Sequence, residues 1–363
     1  MVPLNQTGRA GLQFMGSLQR YSSTILADRA KRAFYATDAI EEVPIGDRSM
    51  EEIETVLDDA KARAGAIQAH RFNRFYQRIV AEAIYDRGIP AAEEKRAEAE
   101  PLLKPAPDTD VSGTLHLDPA LTTPEYYEGV EWHLMPGGWD GYDLSMVMFM
   151  SGVVPYIFRH GGYAAVEVDA DIFAQRTGVL GQLPRAEYTR IYEAGSGGTP
   201  TLGMLRQKFP DAELVGADLS ASMQKAGHEM DKKLGLGVHL KQEDCRHTSE
   251  PDDHYDAVVC YATFHETPDD VCRDILKEML RILAPGGDIV ISDPAPLRAL
   301  TPYEAVISDW ETDNREEPYF GVSVRRNLPE ILSELGYVNP EEYAVGEGSY
   351  PWVTRARKAD AEA

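Results

Sequence analysis

The chain has 363 residues, 43% of them hydrophobic, which is enough for two domains with a sizeable core. Its formal charge is −24 and no Lys/Arg cluster interrupts that balance, which argues against nucleic acid or an anionic membrane as partner and reads most simply as solubility. Its three cysteines, Cys245, Cys260 and Cys272, form no CxxC pair and no disulfide framework, as expected of a protein kept in a reducing cytoplasm.

The first twenty residues carry no continuous apolar run of the secretory kind. From Tyr21 to about Gly88 the pattern is helical, with apolar residues at three- and four-residue steps such as Ile53, Val56 and Leu57 or Ile79, Ala83 and Ile84. Gly88 and Pro90 are expected to stop it. "AAEEKRAEAEPLLKPAPDTD" then reads as a linker or a solvated helix with an extended tail. Leu115 to Leu183 reads as helical again, broken at Pro136-Gly137-Gly138 and Gly161-Gly162. Within it, "MVMFMSGVVPYIF" is too short to span a membrane and is expected to be a buried helix.

From Arg190 the period changes. "RIYEA", "AELVGAD", "GVHLKQED", "DAVVCYA" and "DIVISD" read as strands, separated by helices "PTLGMLRQKF", "SASMQKAGHEMDKKLG" and "DDVCRDILKEMLRIL". In the second helix Met223, Ala226 and Met230 share a face, and Gly235 is its C-terminal stop. "DAVVCYA" is nearly all apolar, as a strand covered on both faces should be, and Cys260 within it reads as core. This alternation predicts an α/β fold with a doubly wound, mostly parallel sheet, whose ligands bind beyond the carboxyl ends of its strands. The expected organisation is a mainly α-helical region, 1–183, followed by a Rossmann-like domain, 184–363.

"IYEAGSGGTP", Ile191 to Pro200, poses the central question of which nucleotide the glycines serve. A dinucleotide fingerprint places its third small residue where this chain has Pro200, so an NAD-dependent oxidoreductase is disfavoured. Thr199 is a reasonable N-cap and Pro200 suits the first helical position. Asp218, about twenty residues on at the end of the second strand, is placed to accept two ribose hydroxyls.

"EAGSGGT" resembles the E/D-x-G-x-G-x-G signature of class I S-adenosylmethionine-dependent methyltransferases. Glu193, Gly195 and Gly197 match, and Thr199 stands where the last glycine usually stands. "AELVGADLSASM", "KQEDCRH", "YDAVVCYATFHETPDD" and "LKEMLRILAPGGDIVISDP" resemble the later segments of the same family, in its order and spacing. The likeness runs from about Tyr188 to Arg357. It implies a seven-stranded sheet, S-adenosyl-L-methionine as methyl donor and S-adenosyl-L-homocysteine as product. It places the donor among Glu193, Gly195, Ser196, Gly197, Asp218, Leu219, Met223, Asp244, Cys245 and Tyr261. In that likeness Asp244 meets the adenine amino group. Glu193 orders the glycine loop or meets the donor's ammonium, the alternative being an anion against a helix dipole.

A sulfonium methyl is already activated, so the protein mainly aligns the acceptor and excludes water, adding a base where the acceptor must lose a proton. His265 and Glu266, in the loop "FHETP", are candidates by the same resemblance. His265 reads either as general base or as a structural histidine, and Glu266 as its orienter or a helix cap. A second constellation, "EWHLMPGGWDGYDLS", gathers Trp132, His133, Trp139 and Tyr142 around a Pro-Gly-Gly. It reads either as an aromatic closure for a cationic donor, with His133 and Tyr142 as further catalytic candidates, or as plain packing. No metal set with ligand spacing is evident. The expected activity is methyl transfer to a small molecule, oxygen favoured; a non-catalytic binder on the same fold is the alternative. A homodimer is left open, with the helical region capping the site or serving oligomerisation.

Overall fold

The computed structural model describes residues 4–36, 40–103, 113–161, 168–169, 171–346 and 348–361. The chain forms two compact units that interleave in sequence. One is helical and comprises Met1–Ala99, Gly129–Asp171 and Ala295–Arg325. The other carries the sheet and comprises Glu100–Glu128, Ile172–Pro294 and Arg326–Ala363.

In the sheet unit eight strands appear among the described residues: β1 Thr114–His116, β2 Arg190–Ala194, β3 Glu213–Asp218, β4 His239–Gln242, β5 Tyr255–Tyr261, β6 Leu283–Asp293, β7 Tyr337–Ala344 and β8 Trp352–Lys358. Their order is β1-β4-β3-β2-β5-β6-β8-β7. β1 to β6 pair in parallel, while β8 runs antiparallel to both β6 and β7. The sheet is thus mostly parallel and doubly wound, with one strand more than seven. The extra strand is β1, from a segment that the sequence pattern reads as helical. Gly113 explains the pairing: a Cβ there would lie 2.4 Å from the Val238 carbonyl oxygen, so a bare backbone can lie against β4.

β2 and β5 are neighbours at the centre, and the chain winds away from them in both directions. The crevice between their carboxyl ends is the switch point where ligands of such sheets bind. Both strands are almost wholly buried, and apolar side chains on the two faces of the sheet form two separate clusters.

Two local expectations in the sheet unit are corrected. The helix Ala221–Leu234 starts at Ser220, whose hydroxyl accepts from the Met223 N–H, and stops at Gly235 as expected. Its buried face, however, is Gln224, Gly227, His228 and Asp231; Met223 and Met230 are only half-buried. The helix Pro200–Lys208 has no side-chain cap from Thr199, which sits at φ 69° with its hydroxyl turned to the Gly198 carbonyl.

The helical unit is built on Gln6–Tyr21, Met50–Ala66, Gln68–Glu93 and Pro302–Asn314. A capping box between Ser49 and Glu52 starts the second of these. Gly88 and Pro90 do not stop the third. Gly88 lies against Met148, where a Cβ would come 3.1 Å from its Cγ, so it serves close packing. Pro90 falls in the last turn, where its missing N–H forfeits a single bond. The apolar run forms Ser145–Met148 and a π-helical continuation, Phe149–Phe158, that carries Pro155. The charged linker is a helix over Arg96–Leu103; its prolines Pro105 and Pro107, like Gly162, lie outside the described residues. Among the described residues no helix is long and apolar enough to cross a membrane.

Candidate active site

The loop after β2 is folded by the residues beneath it. Gly195 has φ 68°, and a Cβ there would fall 2.4 Å from the Thr263 hydroxyl oxygen, so the loops after β2 and β5 touch at this point. Ser196 is buried; its N–H donates to the Ala217 carbonyl (2.9 Å) and its hydroxyl accepts from Gln224 (2.9 Å). Thr199 keeps the left-handed backbone that a glycine would adopt freely. Its side chain is accommodated because position 227 is glycine: a Cβ there would lie 2.6 Å from the Thr199 Cγ2.

Asp218, at the tip of β3, is half-buried. One carboxylate oxygen accepts the Gly197 N–H at 2.9 Å and the other the Ser220 N–H at 2.8 Å. A carboxylate oxygen can accept from more than one donor. Leu219 and Met223 flank it, half-buried.

Glu193, one residue before the end of β2, is 1% exposed. Burial pushes its carboxyl up to about 8; the Thr201 hydroxyl and the charge of Arg176 pull the other way, and Asp218 adds to the rise. Its Oε2 has no hydrogen-bond partner. A buried, unanswered oxygen beside a cradle that a Cβ would fill is what a bound ligand with a donor group requires.

Beyond β4, Asp244 is gripped by Arg246, whose Nε and Nη2 reach its carboxylate at 3.0 and 2.7 Å. Arg246 lies over the ring of Tyr126, 5.4 Å from its centroid. Glu243 instead accepts from the Tyr192 hydroxyl and the Ser249 N–H. Cys245 is buried against β3 and its thiol is pushed up, chiefly by burial. Tyr261, at the end of β5, shares a 3.0 Å hydroxyl contact with Tyr350 and carries the Arg176 guanidinium over its ring at 4.0 Å.

The turn Phe264–Glu266 follows β5. His265 is buried, and its Nδ1 lies 2.6 Å from Oδ1 of Asp293, the last residue of β6. The other Asp293 oxygen accepts the Phe264 N–H at 2.7 Å. Facing a carboxylate oxygen, Nδ1 carries the ring proton, which makes Nε2 the basic nitrogen of the ring. Asp293 therefore orients His265. Arg326 fixes the same turn from behind: it donates to the carbonyls of Phe264 (2.7 Å) and Thr267 and pairs with Asp269 at 2.6 Å.

The strand tips thus gather the donor-side residues and His265 in the sheet unit. His133 and Tyr142 belong to the helical unit. His133 has φ 60°, pairs through Nδ1 with the buried Glu317, and meets the edge of Trp139 at 5.5 Å. The Tyr142 hydroxyl donates to Glu93 at 2.8 Å, and its pKa is pushed up by burial and that bond. Sequence reading missed Asp293, Arg246, Tyr126, Arg176 and Glu317. The first two stand inside segments already singled out, as an acid ending a strand and a cation two residues beyond an acid.

The sequence pattern of the methyltransferase domain matches residues 191–287. This is a class I S-adenosylmethionine-dependent methyltransferase domain. Curated proteins match over a stretch of similar length. The chain is 32% identical over 107 residues to a demethylmenaquinone methyltransferase of Thermus thermophilus, covering 30% of this chain and 48% of that one. It is 34% identical over 101 residues to the ubiquinone/menaquinone biosynthesis C-methyltransferase UbiE of Pseudomonas paraeruginosa, covering 27% and 38%. The chain therefore spans less than half the length of these relatives. Among solved structures, phosphoethanolamine N-methyltransferase 2 of Haemonchus contortus, in complex with S-adenosyl-L-methionine, is similar at 15% identity and TM-score 0.41, over 52% of this chain and 53% of that one.

Proposed function

We propose that this protein transfers a methyl group from S-adenosylmethionine to a small-molecule acceptor, with oxygen the favoured acceptor atom. The observation that carries the reading is the meeting, at the switch point of one sheet, of the glycine loop, Asp218 and the His265–Asp293 pair. When bound, the donor supplies a methyl already activated by its positive sulfur. Asp218 takes the ribose hydroxyls while it holds the loop. Gly195, Ser196 and Gly197 let the backbone approach, and Leu219, Met223, Cys245 and Tyr261 wall the site. Asp244 keeps the adenine role, with Arg246 beside it. Glu193 offers its unanswered oxygen to the ammonium.

His265 is the candidate base. Asp293 fixes its tautomer and steadies the charge it gains when Nε2 takes the acceptor's proton. Glu266, His133 and Tyr142 remain acceptor-side candidates, and the helical unit carries acceptor selection. The strongly negative surface favours an uncharged or cationic small molecule in the cytoplasm. A carbon acceptor is the second reading, favoured by the C-methyltransferase name of the relatives.

Calorimetry with S-adenosylhomocysteine tests the donor half: the intact protein should bind, and Asp218→Ala should lose about 100-fold in affinity, as two charge-assisted bonds disappear. A protein that does not bind ends the proposal. With a panel of phenols and quinols, His265→Ala should lower turnover about 100-fold or more and leave donor affinity within about twofold. An unchanged rate, or a fall matched by lost folding, returns His265 to a structural role.

A further inference from the structure

The helix Gln6–Tyr21 and its π-helical extension Ser22–Leu26 bury Leu12, Met15 and Leu26 within the helical unit. Their outward side is apolar as well. Phe14, Leu18, Tyr21 and Ile25 follow one another there at steps of four, three and four residues. The helix Gln68–Glu93 repeats those steps with Phe72, Tyr76, Ile79 and Ala83, none of them buried, and Phe75 stands beside them. The two helices run antiparallel: Gly8 faces Ala91, Gly11 faces Arg87, and Asn73 donates to the Ser22 carbonyl at 2.8 Å. Their outer rows join where Tyr21 meets the edge of Tyr76 at 6.2 Å and Tyr76 that of Phe75 at 5.8 Å. Among the described residues, five of the eleven exposed large apolar side chains lie on this one surface: Phe14, Tyr21, Ile25, Phe72 and Phe75, between 42% and 63% exposed.

A helix that is apolar on both sides is a buried helix, and an apolar row at steps of four and three is the seam by which helices pack on helices. Four aromatic rings and an isoleucine at about half exposure present on the order of 500 Å² of apolar surface. With the half-buried Leu18, Tyr76 and Ile79 and a polar border, that comes close to the roughly 800 Å² per partner of a stable interface. Matched pairs of opposite charge stand along the border: Arg32 with Asp28, Arg78 with Glu82, and Arg20 with Asp169. A border with both signs suits a surface that also carries both signs, as a second copy of itself does. An anionic lipid face calls instead for a row of uncompensated Lys and Arg. We infer that this face is a dimer interface. Two copies bring their helix pairs together across a two-fold axis, as a four-helix layer with the apolar rows inside.

The test is the mass of the full chain in solution, read by sedimentation over a range of concentrations. The protein should sediment at twice its chain mass of 40.3 kDa. Phe75→Glu and, separately, Tyr21→Glu should each raise the dissociation constant of the dimer about 30-fold or more, because a charge then enters the seam. Leu234→Glu alters an exposed apolar residue of the sheet unit and should leave that constant within about twofold. Circular dichroism confirms that each variant keeps its helices. A parent that stays monomeric overturns the inference, and one that also co-sediments with phosphatidylserine vesicles gives the face to a lipid surface. A dimer that both seam variants leave intact overturns it too, since another face then joins the copies. Binding of S-adenosylhomocysteine is measured separately, so a monomeric protein that still binds it leaves the methyl-transfer reading in place.

Discussion

In the sheet unit, Asp218 and Asp293 each accept from backbone N–H groups at the end of a strand. In the helical unit the buried acids meet side chains instead. Glu311 and Arg315, each 2% exposed, face one another at 3.6 Å, and Arg315 also donates to Gln77 at 2.8 Å. Arg74 lies over Trp310 at 4.8 Å, its guanidinium lowered to about 10 by burial, while burial raises Glu311. Glu317 pairs with His133. Backbone donors are fixed by the fold and lose no rotamer freedom when a carboxylate docks on them. Side-chain partners must be ordered as well as desolvated. The first arrangement leaves a carboxylate rigid and still able to accept from a ligand; the second uses up its charge in holding the unit together.

That contrast can be broken most forcefully at Arg315. Arg315→Ala leaves Glu311 buried without its partner and should cost about 3–5 kcal/mol of stability, read as a fall in melting temperature. Replacing both residues by leucine should recover most of the loss. If the single variant melts like the parent, the buried pair contributes nothing.

Glu193 sharpens the comparison through pH. Burial holds its folded pKa near 8, against an ordinary value of 4.5. Between those values the unfolded chain has released a proton that the folded chain keeps, so stability falls as pH rises from about 4.5 to about 8 and levels off above. Glu193→Gln should therefore remove a fall of about 2 kcal/mol between about pH 6 and pH 8 in denaturant titrations. Identical slopes for parent and variant would show the carboxylate ionised in the folded protein.

The smallest effect concerns the loop itself. Gly227→Ala should destabilise by roughly 1–2 kcal/mol, because its methyl would overlap the Thr199 side chain. Adding Thr199→Gly should return most of that loss, and a purely additive double variant would mean that the two positions are uncoupled.

The sheet was legible because its signals are local. β2 coincides with "RIYEA", Gly235 ends its helix as expected, and Asp218 stands at the strand tip assigned to it. Short-range chemistry misled where tertiary packing took over. Gly88 and Pro90 read as a stop, yet the helix continues because Gly88 faces Met148. Thr199 read as a cap, yet Gly227, on the next helix, lets it hold a left-handed turn. Partners such as Asp293 for His265, or Arg176 beside Glu193, depend on crossings of the sheet that no spacing encodes. Glu317 was beyond reach for the same reason, since nothing near it in sequence marks His133 as its neighbour.

Asp293 and Arg326 both grip the Phe264–Thr267 turn, one just before the chain departs from the sheet unit and the other as it comes back. The thirty-odd residues between them thus begin and finish at one place, like an inserted cassette with a narrow mouth. Such a cassette can be lengthened, trimmed or exchanged while strand order and register stay as they are.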